Sequence, residues 1–112
     1  MFDEQTKLQE LAELAGADTA KRMAQLLLIE LEDAVPKIIM LIAQSDLGAA
    51  ASLAHGLAGV TASVGCFRLA QIARSLEADL RAGTIYPDLL SQMGFAVTQA
   101  KSNLAEFILS SN

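Results

Sequence analysis

The segment AHGLAGVTASVG, residues 54–65, is the most informative part of the chain and contains its only histidine, His55. Around it, apolar residues recur at spacings of three and four, the pattern of one face of an α-helix. This predicted core face comprises Leu53, Leu57, Val60 and Val64. We therefore predict a helix that is capped by Ser45 or Asp46 and ends at about residue 64, where Gly65 follows.

His55 is predicted to point away from that core face. An α-helix turns by about 100° per residue, so His55 lies roughly 200° around the helix from Leu53. The outer face predicted around it carries only small residues, namely Gly48, Ala51, Ser52, Ala58, Gly59 and Ala62. One interpretation is a small-residue seam packed against another helix or a second copy, with the histidine at its edge. The other is an imidazole that a partner protein must reach, because glycine inside a helix costs about 1 kcal/mol relative to alanine and needs a reason.

Two helices are predicted before this segment. A short helix covers about residues 4–14 and ends at Gly16, where the helical pattern stops. A second helix, capped by Asp18 or Thr19, runs to about residue 43. Pro36 lies inside it and predicts a kink or a break there.

Two helices are predicted after it. The fourth helix covers about residues 67–81 and ends at Gly83, and the fifth begins at Pro87 and reaches about residue 109. Four long helices joined by short loops predict an all-α fold, an antiparallel up-down four-helix bundle with a short additional N-terminal helix. A length of 112 residues predicts that residues 1–112 form a single domain.

Composition and charge argue against several classes of function. The net charge is −5 and no basic patch occurs, so we expect no nucleic-acid partner. The apolar runs are short and interrupted, so we expect no membrane span. The single cysteine, Cys66, cannot form an intrachain disulfide, which fits a cytoplasmic protein. One histidine and one cysteine cannot build a zinc site, and we expect neither a metal nor a cofactor.

The segment around His55 resembles the signature A-H-x-L-K-G-x-x-x-x-x-G of histidine-containing phosphotransfer (HPt) domains. His55, Leu57, Gly59 and Gly65 stand at the spacings of that signature. Residues 32–36, EDAVP, resemble the acidic-then-proline stretch of the family's preceding helix. The resemblance extends over nearly the whole chain.

The following helix adds to this resemblance, because Leu69, Leu76 and Glu77 are similar to the family's pattern L-x-x-x-x-x-x-L-E. The resemblance implies a phosphorelay intermediate, in which His55 accepts a phosphoryl group from the aspartate of one receiver domain and passes it to another. It implies response-regulator receiver domains and a hybrid sensor kinase as partners, with Mg²⁺ only in the receiver. It also implies a phosphocarrier without an ATP site, and no Gly-x-x-x-x-Gly-Lys loop occurs here.

The chain departs from the family at Ala58, where HPt domains usually have a lysine whose charge helps to hold the phosphoryl group. This change is also compatible with a degenerate domain that binds receivers without relay. Charge is available on the fourth helix, where Arg74, Glu77 and Arg81 follow at spacings of three and four. Such a stripe is commonly a solvated ion-pair ladder.

The functional alternative for this stripe follows from a hairpin about Gly65. His55 lies ten residues before that turn and Glu77 twelve residues after it, so their heights match roughly. Some family members have glutamine at the place of Glu77, bonded to the imidazole. We therefore expect Glu77 to orient the ring through Nδ1, leaving Nε2 free to attack, and Arg81 to replace the lysine partly.

The predicted receiver surface is a shallow patch of Gly59, Ala51, Ala58 and Ala62 around an exposed His55 on a monomer. A different class of function remains open, a helical adaptor or dimerisation module that uses the small-residue face. A hydrolytic enzyme has little support, because no carboxylate pair has a suitable spacing.

Overall fold

Five α-helices and no strand occur in the part of the chain that is described. The computed structural model describes the backbone of residues 3–110 and the side chains of residues 7–110. The helices are α1 Asp3–Ala15, α2 Ala17–Ala43, α3 Leu47–Ser63, α4 Phe67–Arg81 and α5 Pro87–Ser110. The all-α prediction is confirmed, and the five bounds lie close to those expected from the sequence.

The start of α3 follows the predicted capping. Asp46 is the N-cap, and its Oδ1 accepts a hydrogen bond from the backbone N–H of Ala49 at 3.3 Å. At the other end, Gly65 has a φ of 88°, a left-handed conformation that favours glycine. Residues 64–66 therefore make a tight connection, and α3 and α4 form a helical hairpin.

The predicted cap of α2 is wrong. The helix begins at Ala17 directly after Gly16, without a side-chain cap, so Asp18 and Thr19 lie within its first turn. Of the kink or break expected at Pro36, the break does not occur, because α2 is continuous from Ala17 to Ala43. Proline removes one backbone hydrogen bond, and here it lies on an exposed position between the buried residues Leu31 and Ile38. Packing on both sides of Pro36 therefore holds the helix together.

The helices enclose one core. Contacts join α2 to α3, α3 to α4, α4 to α5 and α5 back to α2, and α1 packs on α2 and α5. The closest association is that of α3 with α4. Leu8 of α1 is fully buried in the same core as Leu31, Leu76 and Leu104. No helix within residues 3–110 has both the length and the hydropathy needed to cross a bilayer.

The buried side of α3 differs from the predicted core face. Leu57 and Val64 are buried as expected, but Leu53 and Val60 are only partly buried. The fully buried positions include alanines that were assigned to the outer face. The exposure predicted for Ala51 and Ala58 is wrong, since they are 0% and 3% exposed. Their methyl groups are small enough for α4 to pack closely against this side of α3, so burial extends almost to His55.

Candidate functional site

The centre of the α3–α4 hairpin brings the histidine and a carboxylate together. The Nδ1 atom of His55 lies 3.0 Å from Oε1 and 3.2 Å from Oε2 of Glu77. The two residues are separated by 22 positions in sequence, with the Gly65 turn close to the midpoint. His55 and Glu77 were expected to lie at about the same height along the hairpin, and in the structure their side chains are in direct contact.

The contact leaves most of the imidazole accessible. The side chain of His55 is 75% exposed, whereas that of Glu77 is 17% exposed. An ionised carboxylate can only accept hydrogen bonds, so the ring nitrogen that faces it carries the proton. In the neutral ring, the lone pair then belongs to Nε2, which forms no hydrogen bond with a described residue. His55 is therefore held at one nitrogen and open at the other.

Glu77 is itself held by a second partner. The Nε–H of Arg81, one turn further along α4, donates to Oε2 of Glu77 at 2.9 Å. The hydrogen bond from Arg81 and then that from His55 lower the pKa of the Glu77 carboxyl below its ordinary value, and they outweigh the opposing effect of desolvation. Glu77 is therefore an ionised acceptor shared by an arginine and the histidine.

An exposed strip without large side chains lies beside His55 on α3. Its members are Gly48, Ser52, Gly56 and Gly59, all exposed. A Cβ added at Gly59 would meet no atom within 4 Å. Packing within the chain therefore does not explain why glycine occupies this position, whereas an approaching partner would. Ala62, which was also predicted on this face, is partly buried.

A depression of about 220 Å³ lies beside the imidazole. It is lined by His55, Ala58, Gly59, Arg74 and Glu77. Arg74 was not assigned to the site from the sequence, although it belongs to the charged stripe of α4. Arg81 does not line the depression, and Ala51 is fully buried below the surface. The structure thus brings His55, Gly59 and Glu77 together, keeps Ala58 at the floor, and adds Arg74.

The chemistry available at this place is nucleophilic. A neutral imidazole with a free Nε2 can attack phosphorus, and a carboxylate at Nδ1 stabilises the positive charge that develops on the ring. Within the described residues, no three histidine, cysteine, aspartate or glutamate side chains converge in a way that could hold a metal ion. The centre of the α3–α4 hairpin offers an accessible imidazole nitrogen on a ring that is held by a shared carboxylate.

A comparison with models of protein families finds a match. The model of the Hpt domain matches residues 22–106, a range that contains α3, α4 and most of α2 and α5. His55, Glu77 and both arginines of the α4 stripe lie within it. No curated protein matches the chain. No solved structure matches it either.

Proposed function

Because the chain belongs to the family of Hpt domains, we propose that it is a phosphorelay intermediate whose phosphoryl acceptor is His55. Hpt domains serve histidine phosphotransfer in two-component signalling and are phosphocarrier modules rather than catalysts. The observation that supports this assignment is the contact of His55 Nδ1 with Glu77, made while the His55 side chain remains 75% exposed. It leaves Nε2 as the nucleophile.

The proposed step moves a phosphoryl group without water. The lone pair of His55 Nε2 attacks the phosphorus of an aspartyl phosphate in a receiver domain. The new N–P bond forms as the O–P bond breaks, and the electron pair of that bond leaves on the aspartate carboxylate. Nδ1 keeps its proton, and the ring becomes cationic while it faces the Glu77 carboxylate. Transfer to a second receiver reverses these bond changes, and the total charge is the same on both sides.

Glu77 and Arg81 are positioning groups in this proposal. Glu77 selects the tautomer in which Nε2 has the lone pair. Arg81 holds Glu77 through its Nε, while its two terminal nitrogens remain able to add positive charge near the phosphoryl group. That charge has little effect in water and more when a docked receiver excludes solvent.

The partners proposed are response-regulator receiver domains and a hybrid sensor kinase, with any Mg²⁺ bound by the receiver. The receiver would contact the exposed strip beside His55 rather than the buried Ala51. We take the working form to be a cytoplasmic monomer, built as an antiparallel up-down bundle of α2–α5 with α1 packed on α2 and α5. Relay contacts of this kind are small and transient.

The experiment is incubation of the chain with receiver domains from the same cell that carry a radiolabelled aspartyl phosphate. The parent should acquire an acid-labile label, and His55→Gln should fold equally well and acquire none. Ser91→Ala, a change at an exposed position on α5, is the control and should be labelled like the parent. Full labelling of His55→Gln would refute the assignment. Receiver binding without label on the parent would instead support the adaptor alternative.

A further inference from the structure

Arg74 lines the depression beside His55 and lies on α4, across from Ala58 on α3. The inference rests on the proposed phosphorelay role of His55 and adds a residue to it. We propose that the guanidinium of Arg74 binds the phosphoryl group on Nε2 of His55, supplying from α4 the cation that Ala58 cannot supply from α3. The two residues line the same depression, with Gly59 and Glu77.

The height of Arg74 along the hairpin supports this role. His55 and Glu77 face one another, so a residue a given number of positions after His55 is level with the residue that many positions before Glu77. Arg74 is three positions before Glu77 and is therefore level with Ala58, three positions after His55. Compared with the lysine of the family on α3, the positive charge of Arg74 therefore lies on α4, at the same height along the hairpin.

The surroundings leave room for the Arg74 side chain and for a ligand. Ala58 has only a methyl group and Gly59 has no side chain, so nothing large stands on α3 at this height. The depression there has a volume of about 220 Å³. Arg74 is exposed and forms no ion pair with a described residue. Its five N–H donors are therefore available for the oxygen atoms of a phosphoryl group.

Arg81 differs from Arg74 on each of these points. It is four positions after Glu77 and so level with Ala51, on the opposite side of His55. Its Nε is bonded to Glu77, and it does not line the depression. Of the two arginines that flank Glu77, Arg74 is thus the one placed to touch the phosphoryl group, and Arg81 acts mainly through the carboxylate.

The test uses phosphoramidate, a small donor that phosphorylates imidazole without a receiver. Nε2 attacks its phosphorus, the P–N bond breaks, and the electron pair leaves on ammonia. Arg74→Gln keeps a polar side chain and removes the charge, Arg74→Lys keeps the charge, and Arg68→Gln is the matched control on the same helix. Arg68 is exposed and lines a different depression, between α4 and α5. The rate of labelling at His55 is measured for each protein by mass spectrometry.

We expect Arg74→Gln to label about tenfold more slowly, as for the loss of about one hydrogen bond to a charged group, and Arg74→Lys to keep most of the rate. Arg68→Gln should match the parent. Ala58→Lys combined with Arg74→Gln should recover part of the rate, because the vacated depression accepts the lysine stem. A purely structural role of Arg74 predicts no such recovery.

Equal rates for Arg74→Gln and the parent would overturn the inference, as would equal slowing by Arg74→Gln and Arg68→Gln, which would indicate a general effect of charge. The proposed function is judged separately, by labelling of the parent from phosphorylated receivers. The inference about Arg74 can therefore be refuted while the proposed phosphorelay role of His55 is supported.

Discussion

On one side of His55, around helix α3, Ala51, Ala54 and Ala58 are almost completely buried, whereas on the other side Gly48 and Gly59 are exposed. We call these the alanine side and the glycine side. Small residues on the alanine side let helices approach closely, which is a gain in packing. Glycines on the glycine side cost helix stability and gain no packing in return, since a Cβ at either would meet nothing within 4 Å.

The difference shows that the small-residue face consists of two parts with different surroundings. The alanine side is a packed seam inside the bundle, as the structural interpretation expected. The glycine side is open surface beside the imidazole, which leaves the room that the functional interpretation requires. His55 stands on the border, which is why it can contact Glu77 across the seam and still be 75% exposed.

The largest expected effect concerns the glycine side. Gly59→Gln should slow transfer from phosphorylated receivers by about 100-fold, because displacing a reacting group by about 1 Å can have a cost of that size. The same change should raise the free energy of unfolding by roughly 0.5–1 kcal/mol, since glutamine is the better helix former. Rapid-quench transfer rates and urea unfolding measure the two effects.

The matched control is Gly94→Gln on α5, where a Cβ also meets nothing within 4 Å. It should be stabilised by the same amount and should transfer at the parental rate. Unchanged transfer by Gly59→Gln would mean that the glycine side is not an approach surface.

Substitutions on the alanine side should change the free energy of unfolding. Ala54 is fully buried, so Ala54→Leu should lower the free energy of unfolding by about 1–3 kcal/mol through overpacking. Ser52→Leu, on the exposed strip, is the matched control and should stay within about 0.5 kcal/mol of the parent. Chemical denaturation compares the two. Equal losses would remove the contrast between the two sides.

His55, which lies between the alanine side and the glycine side, is tested through the tautomer of its imidazole. Glu77→Ala should shift His55 away from the Nδ1–H tautomer, while Glu77→Gln, which can still accept through its amide oxygen, should keep most of it. Transfer should fall several-fold for Glu77→Ala and less for Glu77→Gln. The ¹⁵N chemical shifts of the imidazole report the tautomer directly, and an unchanged tautomer in Glu77→Ala would show that Glu77 does not orient the ring.

Arg81 should have a smaller effect, because it acts on the ring through Glu77. Arg81→Ala should change the free energy of unfolding by less than about 0.5 kcal/mol, as expected for an exposed ion pair, and lower transfer a few-fold. Ala58→Lys in that background should recover part of the loss. Rates against one receiver are compared for the three proteins, and parental transfer by Arg81→Ala would leave Arg81 as a surface ion-pair residue.

The smallest expected effect is a pH dependence of stability. The bonds from Arg81 and His55 lower the folded pKa of Glu77 below its ordinary value of 4.5. Their contribution is therefore present above that pH and is lost as the pH falls through the lowered pKa of the folded protein. The difference in melting temperature between the parent and Glu77→Gln should narrow below pH 4.5, and a constant difference would contradict the assignment.

The features that were predicted correctly depend on residues close in sequence, whereas those that were predicted wrongly depend on tertiary packing. The cap at Asp46 and the end of α4 before Gly83 depend on neighbours within a few residues; Asp46 was one of two predicted caps, and the end of α4 was predicted. The height match of His55 and Glu77 needed only the helical rise and one turn position. The sequence left a kink and a break at Pro36 as alternatives, and the break is absent because packing of both halves of α2 outweighs one missing hydrogen bond.

The sequence by itself determined the five helices and the matching heights of His55 and Glu77, because periodicity and turn chemistry are local properties. Only the tertiary structure decided that Ala58 is floor rather than surface and that Arg74 lines the depression while Arg81 binds Glu77. Burial and pairing depend on how closely α4 packs and how it is rotated. Alanine is compatible with either side of a helix, and an arginine on a charged stripe can turn to either neighbour, so no spacing in the chain distinguishes these outcomes.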